Sequence, residues 1–97
     1  MDIVKTQNAN ALTLALAGRL DTTTAPQLEE AVSALDGVTD LTFDFANLEY
    51  VSSAGLRVLL AAQKTMNKQG KMVIKNVCDD IMEVFEITGF ADILTVE

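Results

Sequence analysis

The order of elements read along this sequence, β-β-α-β-α-β-α-β, predicts one α/β domain over residues 1–97 with a mixed, mostly parallel sheet. Three observations carry that prediction. Leu12, Leu14 and Leu16 alternate with smaller residues, which is the period-two signature of a strand. Helix-length amphipathic stretches separate the later strand-like runs, and such crossovers imply parallel pairing. Met72-Val73-Ile74 is a continuous apolar run, read as a central strand buried on both faces.

Taken in order, Ile3-Val4 is a short β-like piece and Asn8-Ala9-Asn10 is a turn signal. Ala11 to Ala17 is the next strand, antiparallel to the first because the connection is short; Gly18 is expected to end it. Asp21-Thr22-Thr23-Thr24 leads into a helix. Thr24 and Gln27 have capping-box spacing, and Pro26 is tolerated in a first turn. Leu28, Ala31, Val32 and Leu35 form its apolar face, and Gly37 suits a position just past its end.

Leu41 to Ala46 alternates again, with Phe43 and Phe45 on one face and Thr42 and Asp44 on the other. Asn47-Leu48-Glu49 reads as a connecting loop. A long helix is expected from about Ser53 to Gln69, stopped by Gly70, and Lys71 to Lys75 forms the next strand. Asp80, with Glu83 at capping-box spacing, is expected to cap a third helix. Ile81, Val84, Phe85 and Thr88 would face inward and Gly89 would end it. Phe85, Ile87 and Phe90 all read as core. Ile93 to Val96 is a last strand.

Hydrophobic residues make up 49% of the chain, which excludes disorder, and aromatics only 5%, which predicts a core of Leu, Val, Ile, Ala and Met. The net charge of −7 opposes binding to phosphate backbones or anionic membranes and favours a protein partner with a basic surface. No histidine is present, which removes the commonest general base and metal ligand. With one cysteine as well, no metal or cofactor is expected. Cys78 reads as a partly buried spectator in a reducing compartment. Met1-Asp2-Ile3-Val4-Lys5 lacks the pattern of a signal peptide, and no apolar run is long enough to span a bilayer. A soluble, cytoplasmic protein is the expectation.

The stretch from Tyr50 to Leu60 is the candidate site, because partners gather at the carboxyl ends of parallel strands. If its strand neighbours the Ala11 strand, the Asp21 loop lies beside it. Ser52 or Ser53 would cap the long helix, and a cap needs only one hydroxyl. Gly55 lowers helix propensity, and is read as keeping the first turn narrow for another chain. A phosphoserine here would meet free N–H groups and the positive end of the helix dipole. Arg57 is one turn beyond Ser53, within reach of that phosphate. Arg57, Lys64 and Lys68, with Ala61 between them, read as a solvated stripe. Asp21 either holds its own turn or faces Ser53.

A catalytic serine is disfavoured. Val51 stands where a nucleophile elbow needs glycine, and no histidine can act as base. The chain is therefore not expected to be an enzyme, and a small serine hydrolase is the alternative from a different class. The acids Asp21, Asp44, Glu49, Asp79 and Asp80 show no calcium-loop spacing.

Gly18-Arg19-Leu20-Asp21 with Thr24-Ala25, Leu41-Thr42-Phe43-Asp44-Phe45, the run from Ser52 to Leu60, and Phe85-Glu86-Ile87-Thr88-Gly89-Phe90 occur in an order and spacing that resembles the STAS domain. The resemblance covers essentially the whole chain and is to the free-standing bacterial anti-sigma factor antagonists. It implies binding to an anti-sigma factor that is also a serine kinase, so that a sigma factor is released. Phosphorylation of one serine ends binding, and a phosphatase restores it. Setting the family's Ser-Gly-Leu register on Gly55-Leu56 places the modified serine at Ser53. Ser52 stands where well-known members carry Asp, and is the alternative. The implied partner surface is Asp21, Thr22, Thr24, Asn47, Ser52, Ser53, Ala54, Gly55 and Arg57. The family also implies a second role, as accessory subunit of a membrane (lipid) transporter. The oligomeric state is left open.

Overall fold

The computed structural model describes all 97 residues. Strand β1 (Asp2–Asn8) turns at Ala9 into β2 (Ala11–Leu20), and α1 (Ala25–Ala31) crosses to β3 (Asp40–Val51). Helix α2 (Ser53–Gln69) crosses to β4 (Lys71–Lys75), followed by α3 (Asp79–Thr88) and a short 3-10 turn at Phe90–Asp92. The sheet order is β1-β2-β3-β4, with β1 antiparallel and the other pairs parallel.

Alternation decides which side of the sheet is covered. Leu12, Leu14, Leu16, Leu41, Phe43, Phe45, Met72 and Ile74 are buried and belong to one core with the helices. Their alternates Thr13, Ala15, Thr42 and Val73 are only half-buried. The domain thus has two layers. β4 is an edge strand with one covered face, which corrects the expectation of a central strand buried on both. Its apolar run includes Val73, which faces the open side, so continuity of apolar residues overstated burial.

Several boundaries also move. Gly18 does not end β2: with φ of +102°, a region open chiefly to glycine, it sits at a register shift and lets the strand run on to Leu20. Asn47-Leu48-Glu49 is not a loop. Asn47 and Leu48 pair with Ala17 and Gly18, and burial of Leu48 and Val51 outweighs the turn preference of Asn. Helix α1 stops at Ala31, short of Val32 and Leu35, although Leu35 still reaches the core from the connection. Gln69 at the end of α2 donates to the carbonyls of Leu35 and Val38, which holds that connection down.

The predicted capping boxes do not form. The Thr24 hydroxyl turns back to the Arg19 carbonyl (2.8 Å), while Gln27 donates to the Met1 carbonyl (2.9 Å). Cys78, not Asp80, is the N-cap of α3, and no side chain closes it; Asp79 and Asp80 lie in the first turn, where their charges suit the helix dipole. Cys78 is exposed rather than partly buried. Within α3, Ile81 and Phe85 are buried, whereas Thr88 is exposed, and Ile87, two residues from Phe85 and so on another face, is 77% exposed. Gly89 ends α3 as expected, in the left-handed conformation. Ile93 to Val96 forms no strand; Val96 alone bridges Ile74.

The core also departs from the expected composition. Three of the four phenylalanines, Phe43, Phe45 and Phe85, are its largest fully buried side chains. Phe43 and Phe45 meet edge to face, with ring centres 6.1 Å apart. No helix is long and apolar enough to cross a membrane.

Candidate functional site

Because β2 and β3 are parallel neighbours, their carboxyl ends deliver the Asp21 loop and the start of α2 to the same place. The Ser52 amide donates to the Leu20 carbonyl at 2.8 Å, which fastens the two together. Leu20 and Val51, the last residues of the strands, are paired and buried beneath the junction.

The two serines have different surroundings. Ser52 is half-buried and extended, and its Oγ accepts a long hydrogen bond (3.4 Å) from the Gly55 amide; it is the N-cap. Ser53 is the first residue of α2, is exposed, and its hydroxyl makes no hydrogen bond within the chain. Its hydroxyl is therefore free to react without undoing any native contact. Arg57, one turn on, is also exposed and has no ion pair. Ala54 is half-buried.

Gly55 is buried. A Cβ there would lie 2.5 Å from Leu20 Cγ and 2.9 Å from its Cδ2. The narrow first turn thus admits β2 of the same chain, which corrects the expectation that it makes room for another chain.

Asp21 holds its own turn. Its Oδ1 accepts from the Thr23 hydroxyl (2.7 Å), the Thr23 amide (3.0 Å) and the Thr24 amide (3.2 Å). The Asp21 amide in turn donates to Thr24 Oγ1 at 2.8 Å. The Thr23 hydroxyl, chiefly, holds the Asp21 carboxyl below its usual range. A lowered folded pKa means that this order is complete above the ordinary carboxylate range and is lost as pH falls through the folded value. Asp21→Ala is therefore expected to speed amide exchange at Thr23 and Thr24 several-fold while leaving the core amides unchanged. Equal protection in the variant would overturn the role assigned to Asp21.

Thr22 is exposed beside this turn and lines a groove with Ala54 and Arg57. Thr24 stands at the start of α1. Asn47 is exposed within β3, four residues before the strand ends, and is thus roughly 13 Å along the strand from the junction. The structure brings together Asp21, Thr22, Thr24, Ser52, Ser53, Ala54, Gly55 and Arg57, and leaves Asn47 apart.

Arg19, part of the Gly18-Arg19-Leu20-Asp21 motif, takes its role from the fold. Its guanidinium lies 4.2 Å over the Tyr50 ring and 3.8 Å from Asp21 Oδ2, so it bridges the Asp21 loop and the end of β3. Only the β2–β3 pairing, which sets Arg19 beside Tyr50, discloses this.

A family model described as Mlab, STAS domain, matches residues 3–95. The anti-sigma-B factor antagonist of Staphylococcus aureus is 37% identical over 82 residues, covering 81% of this chain and 76% of its own length. That of Listeria monocytogenes is 30% identical over 98 residues, covering 97% and 85%. Among solved structures, the anti-sigma factor antagonist SpoIIAA in its unphosphorylated form superposes with a TM-score of 0.79 at 18% identity, over 99% of this chain and 87% of that one. The phosphorylated form of the Bacillus protein gives 0.77 at 18% identity, over 99% and 91%.

Proposed function

This chain belongs to the STAS domain family, and from that premise we propose that it is an anti-sigma factor antagonist switched by phosphorylation of Ser53. The partner is an anti-sigma factor that is also a serine kinase. Binding it releases a sigma factor, modification of Ser53 ends the binding, and a phosphatase acting on the phosphoserine restores it. The setting is the bacterial cytoplasm.

The observation that carries the choice of residue is the difference between the two hydroxyls. Ser53 is exposed and unbonded, at the first position of a 17-residue helix, whereas Ser52 is half-buried and acts as the cap. A phosphate on Ser53 would add roughly −1.5 to −2 charge beside unpaired amides of the first turn and one turn from Arg57, so the fold would tolerate it. At a close-packed interface the same charge must be desolvated or paired, which weakens a complex.

Incubation with the cognate kinase and ATP, read by intact mass, is expected to add one phosphate to the wild type and none to Ser53→Ala. A full gain in Ser53→Ala would exclude Ser53, with Ser52→Ala then testing the alternative, and no gain in the wild type would remove the switch.

Membership of the STAS domain family also admits a second reading, as accessory subunit of a membrane (lipid) transporter. Co-purification with a transport ATPase, in place of a sigma-regulating kinase, would select it.

A further inference from the structure

We infer that the exposed side of α2, together with the groove between α1 and α2, is a docking surface for an acidic, amphipathic segment of the partner protein. The identity of that protein rests on the proposed function; the chemistry of the segment rests on the surface itself.

The chain has a net charge of −7 and only seven cations. Three of these, Arg57, Lys64 and Lys68, lie on α2, which contains no Asp or Glu from Ser53 to Gln69. The chain's two ion pairs, Arg19 with Asp21 and Lys71 with Asp40, leave all three unpaired. All three are exposed, and spacings of seven and four residues keep them on one side of the helix. In so acidic a protein this is a local field of opposite sign, and it complements a negative surface, so at this face the local charge overrides the basic partner surface expected from net charge alone.

The groove runs beside these cations. It has a volume of about 460 Å³, with Ala25, Pro26, Val32, Ala54, Val58 and Ala61 as its apolar lining. A further 260 Å³ continues it past Ala61 and Ala62 to Thr65. An open apolar trough of this kind suits a row of side chains from a helix or extended segment. The two rims differ in sign: Arg57 stands on the α2 rim and Glu29 on the α1 rim. The occupant must therefore present carboxylates to α2 but not to α1. A nucleic acid or an anionic membrane, negative on every side, would meet Glu29 as well, so a protein segment with acids on one side fits better.

Ser53 directly precedes Ala54, which lines the groove. A phosphate there, at roughly −1.5 to −2, would offset about half or more of the charge on α2 and repel incoming carboxylates. The switch and the surface are then one electrostatic unit.

The test is a titration of the full chain with the anti-sigma factor, for wild type and for Lys64→Glu/Lys68→Glu, with Lys64→Gln/Lys68→Gln as the milder pair. The charge-reversed variant is expected to bind about tenfold or more weakly, and wild-type affinity should fall from about 0.05 M to about 0.5 M salt. Unchanged affinity in both variants would overturn the inference and leave the proposed function standing. A second arm uses a synthetic peptide of Glu, Leu and Ala with its acids on one side, its Lys-for-Glu counterpart, and phosphatidylglycerol vesicles. Amide shifts confined to α1 and α2, seen only with the acidic peptide, support the surface even if the anti-sigma factor fails to bind. Binding of the vesicles or the basic peptide there instead would overturn it.

Discussion

Ser53→Asp is expected to bind the anti-sigma factor about a hundredfold more weakly than the wild type, whereas Ser53→Ala should bind with nearly wild-type affinity. The two variants separate charge from contact. Removing the hydroxyl breaks no hydrogen bond, because Ser53 makes none, and the side chain is exposed in the free protein. Placing a carboxylate there puts an anion at the first position of α2, where the helix dipole and unpaired amides favour it by about 0.3–1 kcal/mol. The thermal midpoint of Ser53→Asp should thus hold or rise slightly while its affinity falls. That opposite movement is what a loss caused by unfolding would not produce. Calorimetric titration with the anti-sigma factor, beside a melting curve, measures both. Equal weakening in Ser53→Ala would mean that the hydroxyl itself is a contact, and undiminished affinity in Ser53→Asp would remove charge as the basis of the switch.

Ser52 makes the useful contrast. Its Oγ accepts from the Gly55 amide, so a phosphate on it would have to keep or replace the cap. Sequence alone presents two adjacent hydroxyls before a helix and cannot say which is the cap. That choice depends on where Ser52 is held, and it is held by the Leu20 carbonyl, 32 residues earlier in the chain. The limits of α2 and β4 were legible for the opposite reason: their signals are local, a helical apolar period ended by Gly70 and a short apolar run between lysines. What failed to read locally was decided at long range. β3 continues through Asn47 because Leu48 and Val51 are buried against β2. Thr24 forms no capping-box bond because its Oγ1 accepts instead from the Asp21 amide and donates to the Arg19 carbonyl, while the Gln27 amide turns to the Thr24 carbonyl. Val73 looked like a central-strand residue, but only strand order shows that β4 is an edge. At the site, the Asp21 loop was placed correctly from the rule about strand ends, while Arg19 over Tyr50 required the register.

Gly70→Ala is expected to cost more stability than the same change at any other glycine of the chain, about 3 kcal/mol. The glycine is not needed for its dihedral angles: φ is 175°, extended backbone that any residue adopts. It is needed for space. A Cβ at Gly70 would collide with the Thr39 carbonyl, and would lie 2.6 Å from Thr39 C and 2.7 Å from its Cα. Backbone atoms are the obstacle, and they are tied in place: Lys71 donates to the Thr39 carbonyl at 2.9 Å, and Thr39 donates to Asn10 at 3.0 Å. Relief would require α2 to withdraw from the start of β3, carrying with it Gln69 and its bonds to Leu35 and Val38. At Gly55 the corresponding obstacle is mainly the Leu20 side chain, which is 0% exposed yet has rotamers to try, so Gly55→Ala should cost less, about 1–2 kcal/mol. For a domain of this size 1 kcal/mol moves the melting midpoint by about 4–8 °C, so Gly70→Ala should fall by at least about 12 °C. The two variants should also differ in kind. Gly55→Ala disturbs the first turn of α2 and with it Ser53, so it should weaken anti-sigma factor binding beyond its effect on folding. Gly70→Ala acts at the far end of the helix from Ser53 and should weaken binding less than Gly55→Ala does, at a temperature where both are folded. Melting curves for both, with affinities measured well below their midpoints, test the pair. A midpoint for Gly70→Ala within a few degrees of wild type would show that β3 yields where its hydrogen bonds say it is held.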